Sequence, residues 1–248
     1  MINPSWHLDM CLDSLATLIL VGGLGTRLRS VLPRDVPKPL APIGGRPFLF
    51  YLLQFLAHQG VNHVILSTGF LSRVFNQVIK EISPSGMEIT FSEESEPLGT
   101  AGAIRQARRF LTSDPVLILN GDSICLAAIS PMVTAHREKN AKASAMLAWV
   151  NDIRRFGAVQ LNEAGQISGF GEKIAAGGPG LINAGVYLLS GRALDDLPEK
   201  VPCSLEYNVF PRWIGSGFYG FVSRAPFIDI GTPQSYAAAE EFFKNWSR

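Results

Sequence analysis

Cysteine is scarce in this 248-residue chain: Cys11, Cys125 and Cys203 are odd in number, far apart and not joined by histidines at metal-ligand spacing. That excludes both a disulfide framework and a cysteine–histidine zinc site, and it points to a reducing cytoplasm. An excess of one charge is missing as well, since 22 Lys plus Arg face 21 Asp plus Glu. No global field therefore draws the protein to nucleic acid or an anionic membrane, and any anion site has to be local. Long apolar runs are absent. The longest, "FLFYLLQFLA" at 48–57, is broken by Gln54 and reaches only about half of the roughly 20 residues a membrane helix needs. Residues 1–14 hold no Lys or Arg, so they lack the basic start of a secretory signal. Residues 1–15 are expected to form an amino-terminal extension. There is no repeat, low-complexity tract or Pro/Gly/Ser linker.

What is there is material for a core. Hydrophobic residues make up 47% and charged residues 17%, which suits a buried sheet and is too little charge for disorder. The first half alternates β-rich runs, "TLILV" at 17–21, "HVILS" at 63–67, "MEITF" at 87–91 and "VLILN" at 116–120, with helical patterns. That alternation predicts an α/β fold around a mostly parallel sheet. In such sheets ligands collect beyond the carboxyl ends of the strands, so the loops after Val21, Phe91 and Asn120 are expected to face one crevice. The second half is strand-rich with few helices, which predicts antiparallel or mixed pairing, and a helix is expected from Pro233 to Trp246.

The loop "VGGLGTRLRS" at 21–30 follows the first strand. It is neither a Walker loop nor a dinucleotide fingerprint, because GxxxxGK[ST] is absent and Leu28 stands where a third glycine belongs. Backbone N–H groups at Gly22, Gly23 and Gly25, followed by Thr26 and Arg27, form a nest suited to phosphate oxygens, although a plain glycine-rich bend reads as well from the loop alone. Lys38, between two prolines in "PKPLAPIGGRP", adds a second cation with a restrained backbone. Asp122 in "NGDS" and Asp229 in "FIDIGTP" close buried strands; each alone reads as a turn former or helix cap, and together they suit Mg²⁺. Lys173 and Glu172 in "GFGEK", with Asn183 in "INAGVY", suit a phosphorylated sugar, or equally a surface ion pair. Glu206 in "SLEYNVFP" reads as a first-turn residue of a helix capped by Ser204.

The ordered set "GGLGTRLRS…PKPLAPIGGRP", "EPLGTAGAI", "NGDS", "GFGEK", "INAGVY", "SLEYNVFP" and "FIDIGTP" resembles the sugar-1-phosphate nucleotidyltransferases from Ala16 onward. "EPLGTAGAI" and "GPGLINAGVY" make it most similar to the D-glycero-α-D-manno-heptose 1-phosphate and mannose-1-phosphate guanylyltransferases. The resemblance implies a Rossmann-like, glycosyltransferase-A-like fold with a nucleotide-binding lobe over about 16–150 and a sugar-binding lobe over about 151–248, in one domain. It implies a cytoplasmic, Mg²⁺-dependent reaction of nucleotide-sugar biosynthesis, for lipopolysaccharide or capsule precursors. In it a nucleoside triphosphate, GTP by preference, and a sugar 1-phosphate give nucleotide-sugar and pyrophosphate. Oligomeric state stays open, a homo-oligomer included.

Carried over by motif, Arg27 and Lys38 stabilise the phosphates, while Asp122 and Asp229 hold the metal. Gly22, Gly23, Gly25, Thr26, Glu94, Gly99 and Thr100 line the nucleotide, and Gly157, Glu172, Lys173 and Asn183 the sugar phosphate. The chain departs from the family pattern at Val21, where alanine is usual, and at Asn208, where an acid is common. Uridylyl transfer to a hexose or N-acetylmuramate 1-phosphate, and a nucleotide-sugar-binding module without catalysis, are the alternatives. Glu94 with "GTA", in place of Gln with "GLA", favours guanine.

Overall fold

The computed structural model describes residues 12–23, 26–33, 35–69, 72–171 and 177–244, and the side chain of Thr26 lies outside the description. Among the described residues thirteen strands run in chain order: β1 (Thr17–Leu20), β2 (Pro42–Ile43), β3 (Arg46–Pro47), β4 (His63–Thr68), β5 (Glu88–Glu93), β6 (Val116–Asn120) and β7 (Ser123–Cys125). They continue as β8 (Ala143–Val150), β9 (Val159–Leu161), β10 (Ile167–Phe170), β11 (Gly180–Leu189), β12 (Phe218–Ser223) and β13 (Phe227–Asp229). The helices are α1 (Phe48–His58), α2 (Ser72–Ile82), α3 (Gly99–Gln106), α4 (Ser130–Glu138), α5 (Gly191–Asp195), α6 (Phe210–Trp213) and α7 (Pro233–Phe243).

Seven strands form the central sheet in the order β12-β8-β11-β6-β1-β4-β5. Pairs β6–β1, β1–β4, β4–β5 and β12–β8 are parallel, while β11 runs antiparallel to both β6 and β8. The mixed second half thus has a specific cause: one reversed strand, β11, couples a parallel half to a parallel edge pair. Successive side chains of a strand point to opposite faces, and the central strands are apolar on both. Ile19, Leu66, Leu117 and Leu119 join one core cluster with α1, α2, α4 and α7. Leu18, Ile65, Val116 and Ile118 join the other with α3, α5 and α6. Burial on both faces explains why these strands read as continuous apolar runs.

The chain winds outward from β1 to β4 and β5, then returns to place β6 on the other side of β1. The point of reversal lies between β1 and β6, and a crevice opens there because the loops leaving the two strands diverge. Helices α1 and α2 cover one face and α3 the other, as right-handed crossovers require when the winding direction changes.

Some boundaries differ from the sequence reading. Leu12 and Leu15, assigned there to the extension, are buried in the core. Helix α3 tightens at its end into a 3-10 turn over Ala107–Phe110. Helix α7 is described to Phe243, with Thr232 as its N-cap in a reciprocal hydrogen-bonded box with Ser235. No described helix is long and apolar enough to cross a membrane.

One buried ionisable group sets a pH limit on the fold. His136 on α4 is 4% exposed, and its Nδ1 lies 2.9 Å from the Ser144 hydroxyl on β8. Burial lowers its pKa from 6.5 to about 4, with Arg137 and Arg192 adding to the fall and Asp114 opposing it. Above pH 6.5 the ring is neutral in both folded and unfolded chains. Between 6.5 and 4 the unfolded chain takes up the proton first, so stability falls with pH by about 2 kcal/mol at pH 5. Urea unfolding at pH 7.5 and pH 5 should show this loss in the wild type and a smaller one in His136→Gln.

Candidate functional site

The site is built on strand ends. The chain leaves β1 at Val21, whose N–H donates to the Ser67 carbonyl at 2.9 Å, and enters the glycine loop. It leaves β6 at Gly121, whose N–H donates to the Leu20 carbonyl at 3.0 Å. Beyond Gly121, β7 pairs antiparallel with β13, setting Asp229 opposite Ser123. The Ile230 N–H donates to the Asp122 carbonyl at 2.9 Å. This ladder brings together two aspartates that are 107 positions apart in sequence. Among the described residues no third His, Cys, Asp or Glu joins them as a metal cluster.

Both carboxylates have cationic partners. Lys38 Nζ lies 2.5 Å from Asp122 Oδ2, and the Lys38 side chain is only 9% exposed. The 3-10 turn Lys38–Leu40 buries the side chain and directs it onto Asp122. Arg155, on the loop between β8 and β9, places Nη2 2.6 Å from Asp229 Oδ1. The other oxygen of Asp229 accepts the Gly231 N–H at 2.8 Å. Asp229 is thus an internal turn acceptor, while the helix-capping role falls to Thr232.

These groups line a cleft of about 480 Å³, continuous in its lining with a side recess of about 210 Å³ beneath Arg27 and Lys38. Of the residues singled out in the sequence, Gly22, Gly23, Arg27, Lys38, Glu94, Gly99, Thr100, Asp122, Asn183 and Asp229 all line the cleft. The loops after β1, β5 and β6 therefore meet, as their common position at strand ends predicts. Gly157 does not line it; β9 begins two residues later, and the neighbours Arg155 and Phe156 face the cleft instead. Gly25, Glu172 and Lys173, with the Thr26 side chain, lie outside the described residues.

Glu94 forms the wall beside the glycine loop. Its carboxylate accepts from the Ser67 hydroxyl and the Leu98 N–H, each at 3.1 Å. Burial raises its pKa, and those two donors hold the rise back. Gly22 packs so close that a Cβ there would stand 2.9 Å from Glu94 Oε1 and 3.1 Å from the Gly69 nitrogen. The glycine is needed for this close approach, a constraint the sequence motif alone does not explain.

On the opposite wall, Asn183 donates to the Tyr187 hydroxyl and accepts the Gly185 N–H, both at 2.9 Å. The Tyr187 hydroxyl donates to Glu206 Oε1 at 3.3 Å. A shift of register in β11 between Asn183 and Tyr187 makes room for this network. Gly185 sits in that shift with φ +74°, and a Cβ there would meet Ser123 Oγ at 2.7 Å. Only glycine fits.

Glu206 is the main residue that the sequence underweighted. Ser204 caps its segment, but Leu205–Val209 forms a π-helical turn, not an ordinary first helical turn. Such turns gather at functional sites, and this one turns the carboxylate of Glu206 into the cleft. The residue lines the cleft and stays exposed to solvent. Desolvation first, and the charge of Asp122 second, raise its pKa, against hydrogen bonds from Tyr187 and Asn120 and the charge of Arg27. Arg155 was missed entirely, because an arginine on an irregular loop carries no periodic or motif signal.

The model of the nucleotidyl transferase family matches residues 16–245. The chain belongs to that family. A curated relative, the D-glycero-alpha-D-manno-heptose 1-phosphate guanylyltransferase of Aneurinibacillus thermoaerophilus, is 37% identical over 94% of this chain and 100% of its own length. The mannose-1-phosphate guanylyltransferase of Mycobacterium tuberculosis is 35% identical over 92% of this chain, which spans 64% of that longer protein. HddC from Yersinia pseudotuberculosis superposes with a TM-score of 0.84 at 34% identity, over 92% of this chain and 99% of that one. A second HddC structure, complexed with GMP-PN, gives a TM-score of 0.83.

Gly22→Ala is expected to displace Glu94 while sparing the core. The KM for the nucleotide should rise about tenfold with little change in melting temperature, read by initial-rate kinetics beside thermal unfolding.

Proposed function

We propose that this nucleotidyl transferase moves GMP from GTP to a sugar 1-phosphate of the mannose or heptose type, releasing pyrophosphate. One observation carries the reading: a single cleft collects Arg27, Lys38, Asp122, Asp229 and Glu94 from four separate strand-end loops. Relatives named as guanylyltransferases for mannose and heptose 1-phosphates support the choice of base and sugar.

In this reaction a phosphate oxygen of the sugar attacks the α-phosphorus in line with departing pyrophosphate. No side-chain nucleophile is required; the protein has to bring two polyanions together and neutralise charge as it develops. Arg27 and Lys38, which also line the side recess, suit the triphosphate and the leaving pyrophosphate. The donor set of two hard carboxylates, one in the turn before β7 and one at the end of β13, fits Mg²⁺, which takes one or two carboxylates and completes its shell with water and phosphate oxygens. When bound, the ion would draw charge from the reacting phosphates. Lys38 keeps the Asp122 carboxylate oriented in the meantime.

Glu94 suits the base. Guanine offers N1–H and an exocyclic amine, two donors side by side, and a carboxylate is an acceptor on both oxygens. Ser67 and Leu98 fix its plane without exhausting its lone pairs. The Asn183, Tyr187 and Glu206 network suits sugar hydroxyls, because a carboxylate linked to amide and phenol groups gathers donors and acceptors in one place. The nucleotide would then lie over the loops of β1, β5 and β6, and the sugar toward β11.

Pyrophosphate release with the four common nucleoside triphosphates against a panel of sugar 1-phosphates tests the reading. GTP with mannose or heptose 1-phosphate should be fastest, and a clear preference for UTP refutes the guanylyl assignment. Asp122→Asn should lower kcat by about 10²-fold or more while the protein stays folded, since the amide is a poorer metal ligand of the same size. Glu94→Gln should reduce kcat/KM for GTP by about 10²-fold, because one of guanine's donors then faces an amide donor.

A further inference from the structure

We propose that Arg155 is the exchangeable counter-ion of the metal site: its guanidinium holds Oδ1 of Asp229 until a divalent cation displaces it, and it then engages the phosphate of the sugar substrate. The inference rests on the nucleotidyl-transfer reading above and adds a substrate-binding residue to it.

The two cation–carboxylate pairs of the cleft are built differently. Lys38 is 9% exposed and enters from a turn whose three residues are all buried, so it stays with Asp122. Arg155 is 39% exposed and belongs to a loop between β8 and β9, and its ion pair is the link that fixes its guanidinium on Asp229. An ion pair as open as this contributes little stability and is readily exchanged. The backbone donor on the other oxygen, Gly231 N–H, holds the Asp229 carboxylate in place whether or not Arg155 is present.

Besides Asp229, the guanidinium of Arg155 has a second contact within the cleft. Its guanidinium carbon lies 5.1 Å from the centroid of the Phe156 ring. That ring packs edge-on against Phe227, centroid distance 5.9 Å and interplanar angle 70°. Phe227 lies on β13, two residues before Asp229. The aromatic pair thus ties the loop beside the carboxylate, and the arginine can leave Asp229 without leaving the cleft.

Charge decides the direction of the exchange. Among the described residues, four acids, Glu94, Asp122, Glu206 and Asp229, and three cations, Arg27, Lys38 and Arg155, line the cleft. Before substrates arrive, Arg155 offsets an otherwise uncompensated carboxylate. A divalent cation on Asp229 repels the guanidinium, and the incoming sugar phosphate offers two oxygens in the planar fork geometry that arginine favours. The same side chain then compensates the metal site when empty and the substrate when loaded.

Mn²⁺ binding to the nucleotide-free protein, followed by the electron paramagnetic resonance signal of free Mn²⁺, tests this directly. Arg155→Gln should bind Mn²⁺ about three- to tenfold more tightly than wild type, the gain expected from removing a weak competing ion pair. Adding Asp229→Asn should erase the difference. In kinetics, the KM for the sugar 1-phosphate should rise about tenfold in Arg155→Gln, with kcat changed far less. Equal or weaker Mn²⁺ affinity in Arg155→Gln overturns the proposal, as does a wild type whose cleft binds no Mn²⁺. A wild type active in pyrophosphate release, with unchanged Mn²⁺ affinity in the variant, refutes the role of Arg155 alone. An inactive wild type whose variant still binds Mn²⁺ more tightly refutes the nucleotidyl-transfer reading and leaves the exchange standing.

Discussion

Holding two carboxylates side by side is the constraint on which the site depends. The short ladder between β7 and β13 imposes it, with Asp229 opposite Ser123 and the Ile230 N–H on the Asp122 carbonyl. Two like charges set so close raise each other's energy unless cations lie beside them. Lys38 and Arg155 fulfil that need, one from a buried proline-flanked turn and one from an open loop. Glu206 feels the same field: the charge of Asp122 contributes to the rise in its pKa. The cleft is therefore one electrostatic unit, and changing any member alters the balance for the rest.

That unit stands on the topology of the sheet. The reversal of winding between β1 and β6 opens the crevice, and both strands are buried on both faces by apolar side chains that leave little freedom for slippage. The loops can then carry close backbone approaches and a π-helical turn, because the strands beneath them are fixed. Gly22 against Glu94 and Gly185 in the shifted register of β11 show the accuracy involved: a single added carbon at either place meets a polar atom under 3.0 Å away. Sub-ångström placement of this kind suits a reaction that relies on position and charge and needs no covalent intermediate.

The sequence on its own determined the α/β alternation, because the period of apolar residues is a local property of each segment. It also determined which loops matter, since glycine, proline and aspartate punctuate the strand ends, and the ordered motifs marked the family. Arg27, Lys38, Asp122 and Asp229 were legible in that way. Only the tertiary structure decided that these residues share one cleft with Glu94 and Asn183, that Lys38 is buried against Asp122, and that Gly157 stands back from the lining. It alone showed Leu12 and Leu15 in the core and turned Glu206 from a helix-start residue into a cleft acid. Arg155 was invisible before folding for a physical reason. Its meaning lies in a 2.6 Å contact with a residue 74 positions away, and pairings at that separation are set by strand order and register, which no local pattern encodes.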